Sequence, residues 1–298
     1  MKIYLRFPGF LKKALTLSYD DGVDTDIKMI DILNRHGIKA TFNLNTGLFS
    51  EIPRPDGYTH YFYHLTKSQA LELYTSSGHE LAVHTLTHPF LETLSPEEIA
   101  HEITEDRENI EEMFGGVVRG MAYPFGTYDD RVVEIAKSCG IAYSRTTIST
   151  GCFDIPCDWL RLPATCHHND PRLNELTDRF ISSDGEAPSL FYLWGHTYEF
   201  RWNNNWEIIE SFAAKIGGRN DIWYATNIEI CDYVEAFRAL RFSADGTKVY
   251  NPSACDVCFT ADGKNVTAVS SATTSDSCKN SPTRNLAPNT LISTHGIM

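Results

Sequence analysis

The sequence predicts an α/β protein built around a barrel of parallel strands, with a short β-rich appendage near the C-terminal end. Short apolar runs rich in β-branched and aromatic residues alternate with helical patterns from residue 13 to about 240. Seven or eight such runs indicate a barrel. The predicted strands are 14–18, 39–44, 80–84, 118–123, 141–146, 160–164, 189–195 and 222–225.

The amino-acid composition and the pattern of apolar residues change along the chain and divide it into three segments. Residues 1–240 form the predicted barrel domain, which is long enough to bury a large core. Residues 241–269 carry two Ala-Asp-Gly turn signals between strand-like runs, which predicts a small β appendage. Residues 270–298 are rich in Ser, Thr, Asn and Pro, and we expect a poorly ordered tail there.

Helix ends are marked by capping residues. Ser95 precedes Pro96, and Glu98 follows at the third helical position, which is the pattern of a capping box. The helix predicted over residues 24–36 ends at Gly37, where a left-handed residue stops it. Thr66 opens another helix, which ends before Gly78.

Composition narrows the classes of partner. The formal net charge is -13 and the chain has no cluster of Lys and Arg, which argues against a nucleic-acid partner. No apolar run approaches the length of about 18 residues that a membrane span requires, and the N-terminus lacks a signal-peptide pattern. We therefore expect no membrane partner and a cytoplasmic location, and the oligomeric state stays open.

Polar residues follow four of the predicted strands. Asp20 and Asp21 come after the first strand, His84 ends the third, Pro124 follows the fourth, and His196 follows the strand at 189–195. Active sites of α/β barrels are built at the carboxyl ends of the strands. These segments therefore predict an active site at that rim.

A metal site is predicted from His84, His88 and Asp21. If a helical turn follows the strand, two histidines four residues apart lie on one face and can bind one ion. Asp21 adds a carboxylate from another strand end, although an Asp-Asp-Gly sequence alone also fits a turn or a helix cap. Two imidazoles and one carboxylate leave positions open for water, which suits one divalent metal ion. We expect Zn²⁺, with Co²⁺, Ni²⁺ and Mn²⁺ as alternatives.

Four short motifs resemble those of the polysaccharide deacetylases of carbohydrate esterase family 4, the NodB-homology domain, and occur in the same order. They are Ser18-Tyr-Asp-Asp-Gly22, His84-Thr-Leu-Thr-His88-Pro89, Ala122-Tyr-Pro-Phe-Gly126 and Leu193-Trp-Gly-His196. The resemblance implies a distorted (β/α)7 barrel. It also implies that Asp20 is the general base, His196 the general acid, and Asp21, His84 and His88 the metal ligands. The backbone N–H near Phe125 would stabilise the oxyanion.

The chain departs from this pattern at two places. The family usually has an arginine that orients the base in its third motif, where this chain has Ala122. Arg161 is the predicted replacement, with Arg145 as the alternative. The family's fourth motif, an Asp-Trp element that tunes the acid, is matched only loosely by Asp158 and Trp159.

Several residues near the rim are predicted to contact substrate, because aromatic rings and imidazoles commonly line sugar sites. The same residue types also occur in the core or on a solvated surface, and the sequence leaves these alternatives open. The predicted contacts are Tyr123, Pro124, Trp194, His167 and His168.

The predicted function is metal-dependent hydrolysis of the acetyl amide or ester of an acetylated carbohydrate, so the expected partner is an acetylated saccharide. Two alternatives remain at this point. One is hydrolysis of a cyclic amide, as in the allantoinase-like branch of the same fold. The other is a carbohydrate-binding protein without catalysis.

Overall fold

The computed structural model describes residues 1–58, 60 and 62–271. The strands are β1 (Ile3–Arg6), β2 (Lys13–Asp20), β3 (Thr41–Leu44), β4 (Glu80–Val83), β5 (Gly120–Ala122), β6 (Tyr143–Ser149), β7 (Leu162–Ala164), β8 (Cys166–His167), β9 (Ser189–Gly195), β10 (Ile222–Tyr224), β11 (Arg241–Phe242), β12 (Val249–Tyr250), β13 (Val257–Ala261) and β14 (Lys264–Ala268). The helices are α1 (Asp26–Arg35), α2 (Lys67–Tyr74), α3 (Pro96–Phe114), α4 (Asp130–Ser138), α5 (Leu173–Ser182), α6 (Thr197–Trp202), α7 (Glu207–Ile216) and α8 (Asn227–Arg238).

The predicted helix starts are confirmed by their caps. The Ser95 hydroxyl accepts the Glu98 amide at 3.3 Å, and the Glu98 carboxylate accepts the Ser95 amide at 2.8 Å. These two bonds satisfy backbone donors that the first turn of α3 leaves free. Thr66 and Gln69 form the same reciprocal pair at the start of α2.

Eight parallel strands lie side by side in the order β7-β6-β5-β4-β3-β2-β9-β8. The ring closes because β7 and β8 are two pieces of one extended segment, interrupted only at Thr165. The Thr165 amide donates to Tyr192 of β9 at 2.8 Å, and its carbonyl accepts the amide of Gly151, just after β6, at 2.9 Å. The β7–β8 segment therefore bridges β6 and β9. The predicted α/β barrel with seven strand positions is confirmed.

The barrel is distorted at two of its strands. β2 pairs with β10 through its first half, Lys13 to Leu15, and with β3 through its second half, Ser18 to Asp20. The pairing between β6 and β7 shifts register between Arg145 and Ser149. All eight residues of β2 are buried, as expected for a parallel strand that is covered on both faces.

The predicted appendage contains two antiparallel hairpins, β11–β12 and β13–β14. Strand β1, which was not predicted, joins the appendage. β1 pairs antiparallel with β13, from Ile3 opposite Ala261 to Arg6 opposite Cys258. Strand β1 lies within the segment assigned to the barrel domain, so the first residues of the chain belong structurally with the appendage. The division of the chain into domains otherwise stays a prediction.

Phe259 is 2% exposed, and it packs in one apolar cluster with Ala236 and Leu240 at the end of α8. The three-stranded sheet is thereby attached to the barrel. Apart from residues 270 and 271, the predicted disordered tail lies outside the described residues. Among the described helices, none has both the length and the apolar character needed to cross a bilayer.

Candidate active site

The polar residues predicted at the strand ends meet at one rim of the barrel. Asp20 ends β2, His84 directly follows β4, and His196 directly follows β9. His84 Nε2 and His196 Nε2 each lie 3.8 Å from Asp20 Oδ2. Three strands that are not consecutive in the chain therefore supply one compact cluster.

Asp21, His84 and His88 present their ligand atoms to one another. Asp21 Oδ1 lies 3.6 Å from His84 Nε2 and 3.8 Å from His88 Nε2. Ligands of a tetrahedral zinc ion with bonds of about 2.0–2.1 Å are themselves about 3.3 Å apart, so an ion fits between these atoms. The three residues form one of two groups of potential ligands among the described residues.

The protonation states of the two imidazoles also suit a metal. His84 Nδ1 lies 2.8 Å from the carbonyl oxygen of Ala122 and donates its proton to it, which leaves the Nε2 lone pair facing Asp21. Burial, together with the neighbouring His84, lowers the pKa of His88 to about 4. His88 is therefore neutral at pH 7, which is the form that binds a metal.

The prediction that a helical turn carries His84 and His88 is wrong. The chain bends back through two residues with left-handed backbone angles, Thr85 with φ 67° and His88 with φ 58°. Thr85 Oγ accepts the His88 amide at 3.1 Å, and Glu102 of α3 accepts the Thr87 amide at 2.8 Å. Positive φ costs energy in residues other than glycine, and such strain concentrates at functional sites.

Asp20 is held by a buried arginine. The guanidinium of Arg145 donates to Asp20 Oδ2, and the Asn43 amide donates to Oδ1 at 2.8 Å. The guanidinium also lies over the Trp194 ring, 4.3 Å from its centroid. Burial alone would raise the pKa of Asp20, but the charge of Arg145, aided by His84 and His196, outweighs it and lowers the pKa to about 2. The carboxylate is therefore ionised and fixed in orientation.

His196 is fixed by Glu199, one turn into α6. His196 Nδ1 lies 2.8 Å from Glu199 Oε1. Burial would lower the pKa of His196, but the hydrogen bond to Glu199 and the nearby carboxylates Asp20 and Asp21 raise it above its ordinary value. His196 is thereby favoured in its protonated form, which can donate a proton.

Glu199 also faces two further histidines. Its Oε2 lies 3.1 Å from His168 Nε2 and 3.4 Å from His167 Nε2. Burial would raise the pKa of Glu199, but hydrogen bonds from His167, His168 and His196 lower it. The carboxylate consequently keeps its negative charge beside His196.

The group of His167, His168 and Glu199 also has metal-ligand spacing. Its hydrogen bonds nevertheless differ from those of the Asp21 group. The Asn169 amide donates to His167 Nδ1 at 3.1 Å, so the neutral ring carries its proton on Nε2, which faces Glu199. His167 Nε2 lies 3.4 Å from Glu199 Oε2, and because it carries the proton it offers no lone pair to an ion.

Comparison with known proteins identifies the domain that carries this site. A model of the polysaccharide deacetylase family matches residues 9–144, somewhat less than half of the chain. Over these residues the chain is similar to the polysaccharide deacetylases. The matched segment holds Asp20, the three proposed metal ligands and Phe125, and it ends one residue before Arg145.

Two curated relatives are deacetylases. Chitin deacetylase 1 of Cryptococcus neoformans var. grubii is 32% identical over 131 residues, which are 44% of this chain and 25% of that protein. A chitooligosaccharide deacetylase of Sinorhizobium fredii is 24% identical over 173 residues, 57% of this chain and 66% of that protein. The alignment thus spans less than two thirds of each relative.

A solved structure from Mycobacterium smegmatis, assigned to the polysaccharide deacetylases, has the same fold. It superposes with a TM-score of 0.56 at 15% sequence identity, covering 79% of this chain and 94% of that one. The fold of this chain is therefore shared with that structure.

The family's third-motif arginine is replaced across neighbouring strands. Ala122 on β5 pairs directly with Arg145 on β6, so the two side chains start from the same level of the barrel. The guanidinium reaches Asp20 from one strand further along. The prediction of Arg161 for this role is wrong, because that side chain is 36% exposed and pairs with Asp130 and Asp158 at 2.6 and 2.9 Å.

The loose match to the fourth motif is also wrong. Asp158 accepts the Leu160 amide at 3.0 Å, and Trp159 Nε1 donates to Glu235 at 2.7 Å, so both residues serve the local fold. Glu199 stands beside the acid instead. Glu199 was not among the predicted site residues, although its spacing of three residues from His196, at the start of a helix, indicates such a contact.

Most of the residues predicted to contact substrate are buried in the protein. Tyr123 is buried, and its hydroxyl donates to the Leu160 carbonyl at 2.8 Å. His168 is enclosed between Tyr19 and Phe200. The prediction of substrate contact is wrong for these two side chains, because protein surrounds them.

Pro124 is buried, and Trp194 is 7% exposed beneath the guanidinium of Arg145, so both present little surface to a sugar. His167 is partly exposed beside the acid.

Phe125 lies in a tight turn with φ 57°. The amides of Gly126 and Thr127 donate within that turn, to Tyr123 at 2.9 Å and to Pro124 at 3.2 Å. Both of these amides are thus occupied within the turn, and the Phe125 amide comes directly before them in the chain.

Proposed function

We propose that this protein is a metal-dependent deacetylase that hydrolyses the acetyl amide or ester of an acetylated carbohydrate. The observation that carries the proposal is the juxtaposition of three potential metal ligands with an arginine-held carboxylate and a carboxylate-held histidine. His84 and His196 each lie 3.8 Å from Asp20. The names of the relatives, chitin deacetylase and chitooligosaccharide deacetylase, support an acetylated amino sugar as substrate.

Asp21, His84 and His88 would hold the metal. When bound, a divalent ion there would polarise the acetyl carbonyl and make a nearby water more acidic. Asp20 is placed to accept the proton from that water as the oxygen attacks the carbonyl carbon. Arg145 and Asn43 each donate to one oxygen of Asp20, which holds the carboxylate in a fixed orientation.

The leaving group needs a proton, and His196 can supply it. Glu199 orients the ring through Nδ1, so Nε2 faces the cluster and donates to the sugar nitrogen or oxygen as the bond to the acetyl carbon breaks. The Phe125 N–H would donate to the negatively charged oxygen that forms in the tetrahedral intermediate. Acetate and a free amine or hydroxyl are the products. This complete set of acid and base favours catalysis over a binding protein without activity.

The test is acetate release from a panel of saccharides that includes N-acetylchitooligosaccharides and O-acetylated xylan. Wild type and Asp20→Asn are compared after the metal content of each has been measured, with Asp31→Asn on the outer face of α1 as the control. We expect acetate release from wild type and the control, and loss of release in Asp20→Asn with metal retained. Unchanged turnover in Asp20→Asn would contradict the proposed mechanism.

A further inference from the structure

Two half-exposed phenylalanines border the proposed metal ligands. Phe90 is 47% exposed and Phe125 is 50% exposed. Their rings stack nearly parallel, with centroids 3.9 Å apart and an angle of 12° between the planes. The Phe125 ring also meets the His88 ring, centroid to centroid at 4.4 Å. The pair therefore forms an apolar surface directly beside the site.

The backbone holds this pair at the rim. Phe125 and His88 both have left-handed backbone angles, φ 57° and 58°. A bulky residue rarely adopts that conformation, and strain of this kind persists where the surroundings impose it. Large aromatic side chains gain most from burial, so two of them exposed together beside a reactive site indicate a binding surface.

The opposite side of the site differs in character. The Tyr198 ring lies 5.1 Å from His196 and 5.0 Å from Phe62, and all three side chains are only partly exposed. The stacked pair thus presents the larger free aromatic surface next to the ligands. A pyranose ring offers a face of C–H groups to such a surface and keeps its hydroxyls in water.

We propose that Phe90 and Phe125 form a subsite that binds the sugar unit adjacent to the acetylated one in an oligosaccharide. This proposal rests on the proposed deacetylase function. Because the reacting acetyl group has to reach the metal ligands, the next unit of the chain extends over the rim. The Phe125–His88 contact places the aromatic surface within one side chain of those ligands.

Phe90→Ala tests the subsite, with Phe90→Tyr as the conservative variant. Tyr250→Ala is the control, since Tyr250 is an aromatic residue, 55% exposed, on the β11–β12 hairpin of the appendage. For N-acetylchitotetraose we expect Phe90→Ala to raise KM by about 2- to 12-fold, the range that one aromatic contact supplies. Phe90→Tyr and Tyr250→Ala should leave this KM within about twofold of wild type. Hydrolysis of 4-nitrophenyl acetate, which contains no sugar unit, should not change in any variant.

An unchanged KM for the tetrasaccharide in Phe90→Ala would overturn the subsite. An equal loss on both substrates would overturn it as well, because Phe90 would then act through the backbone of Phe125. Calorimetric binding of the tetrasaccharide separates the subsite from the proposed function. Phe90-dependent binding without acetate release contradicts the deacetylase and keeps the subsite, whereas absence of binding and of release contradicts both.

Discussion

At the scale of single residues, Asp20 is held from β6, although the family motif places the arginine on β5. An arginine on β6 can take the place of one on β5 because Ala122 and Arg145 are register partners on adjacent parallel strands. A guanidinium is long enough to span the distance between neighbouring strands, about 4.8 Å.

Removal of the Arg145 charge should disable the base. We expect Arg145→Ala to lower kcat/KM by about 100-fold or more, since a misoriented catalytic group costs a factor of this size. Arg161→Ala is the matched control and should stay within about twofold. Adding Ala122→Arg to Arg145→Ala should restore part of the activity. Steady-state kinetics on an acetylated saccharide measure all three, and wild-type rates in Arg145→Ala would contradict the role of the ion pair.

The loss of Glu199 should change the pH profile. Glu199 is one of the groups that raise the pKa of His196, so Glu199→Gln should lower that pKa. The protonated acid is then lost at a lower pH, and the alkaline limb of the kcat/KM profile should move toward acid. Glu207→Gln, at an exposed position at the start of α7, is the control. An alkaline limb at the wild-type position would rule out Glu199 as the partner that sets the acid.

At the scale of elements, local patterns predicted most of the framework and little of the long-range detail. The Ser95 and Thr66 caps and seven of the eight barrel strands depend on residues close together in sequence, so the sequence alone predicted them. The short strand β8 was not predicted. Contacts such as Arg145 with Asp20 join residues 125 positions apart. Their prediction requires the register between strands, and helical spacing alone cannot supply it.

The turn from His84 to His88 illustrates the same limit. Its two left-handed residues are Thr85 and His88, neither of them a glycine, so the sequence gives no sign of the reversal. The spacing of the two histidines indicated correctly that their rings meet, but the turn that brings them together is not helical. A strained turn brings the same two rings together that a helical turn would have done.

Metal binding should depend on this turn and be independent of the second histidine cluster. Zn²⁺ should raise the melting temperature of wild type, because a ligand that binds only the folded state stabilises it. His88→Ala should abolish that rise, whereas His167→Ala should keep it. Thermal unfolding with and without a chelator provides the measurement. A zinc-induced rise that persists in His88→Ala and disappears in His167→Ala would assign the ion to the other cluster.

At the scale of the whole molecule, buried acids make stability depend on pH. Burial raises the pKa of Asp26 from 3.8 and that of Glu80 from 4.5, each to about 7. Asp26 accepts a hydrogen bond from Tyr74 at 2.6 Å, and Glu80 accepts one from Tyr143 at 2.8 Å. Both carboxyl groups thus hold a proton in the folded state at a pH at which the unfolded chain has lost it.

The sign of the effect follows from this difference. At Asp26 and Glu80 the folded chain binds more protons than the unfolded chain between about pH 4 and pH 7, so the contribution of these two groups to stability falls as pH rises through that window. We expect a lower melting temperature at pH 8 than at pH 5.5. Asp26→Asn should reduce this difference, while Asp31→Asn, at an exposed position, should not. An identical pH dependence in Asp26→Asn and wild type would exclude Asp26 as a source.

The pairing of β1 with β13 sets an order of events during synthesis. The two strands are separated by some 250 residues, whereas neighbouring barrel strands such as β2 and β3, or β3 and β4, lie much closer together in the chain. Contacts of large sequence separation form late, and chains fold from the N-terminus while they are made. Strand β1 therefore leaves the ribosome before the other described strands and is among the last of them to find a partner. Until β13 emerges, the edge of β1 that β13 will cover is open to pairing with another chain.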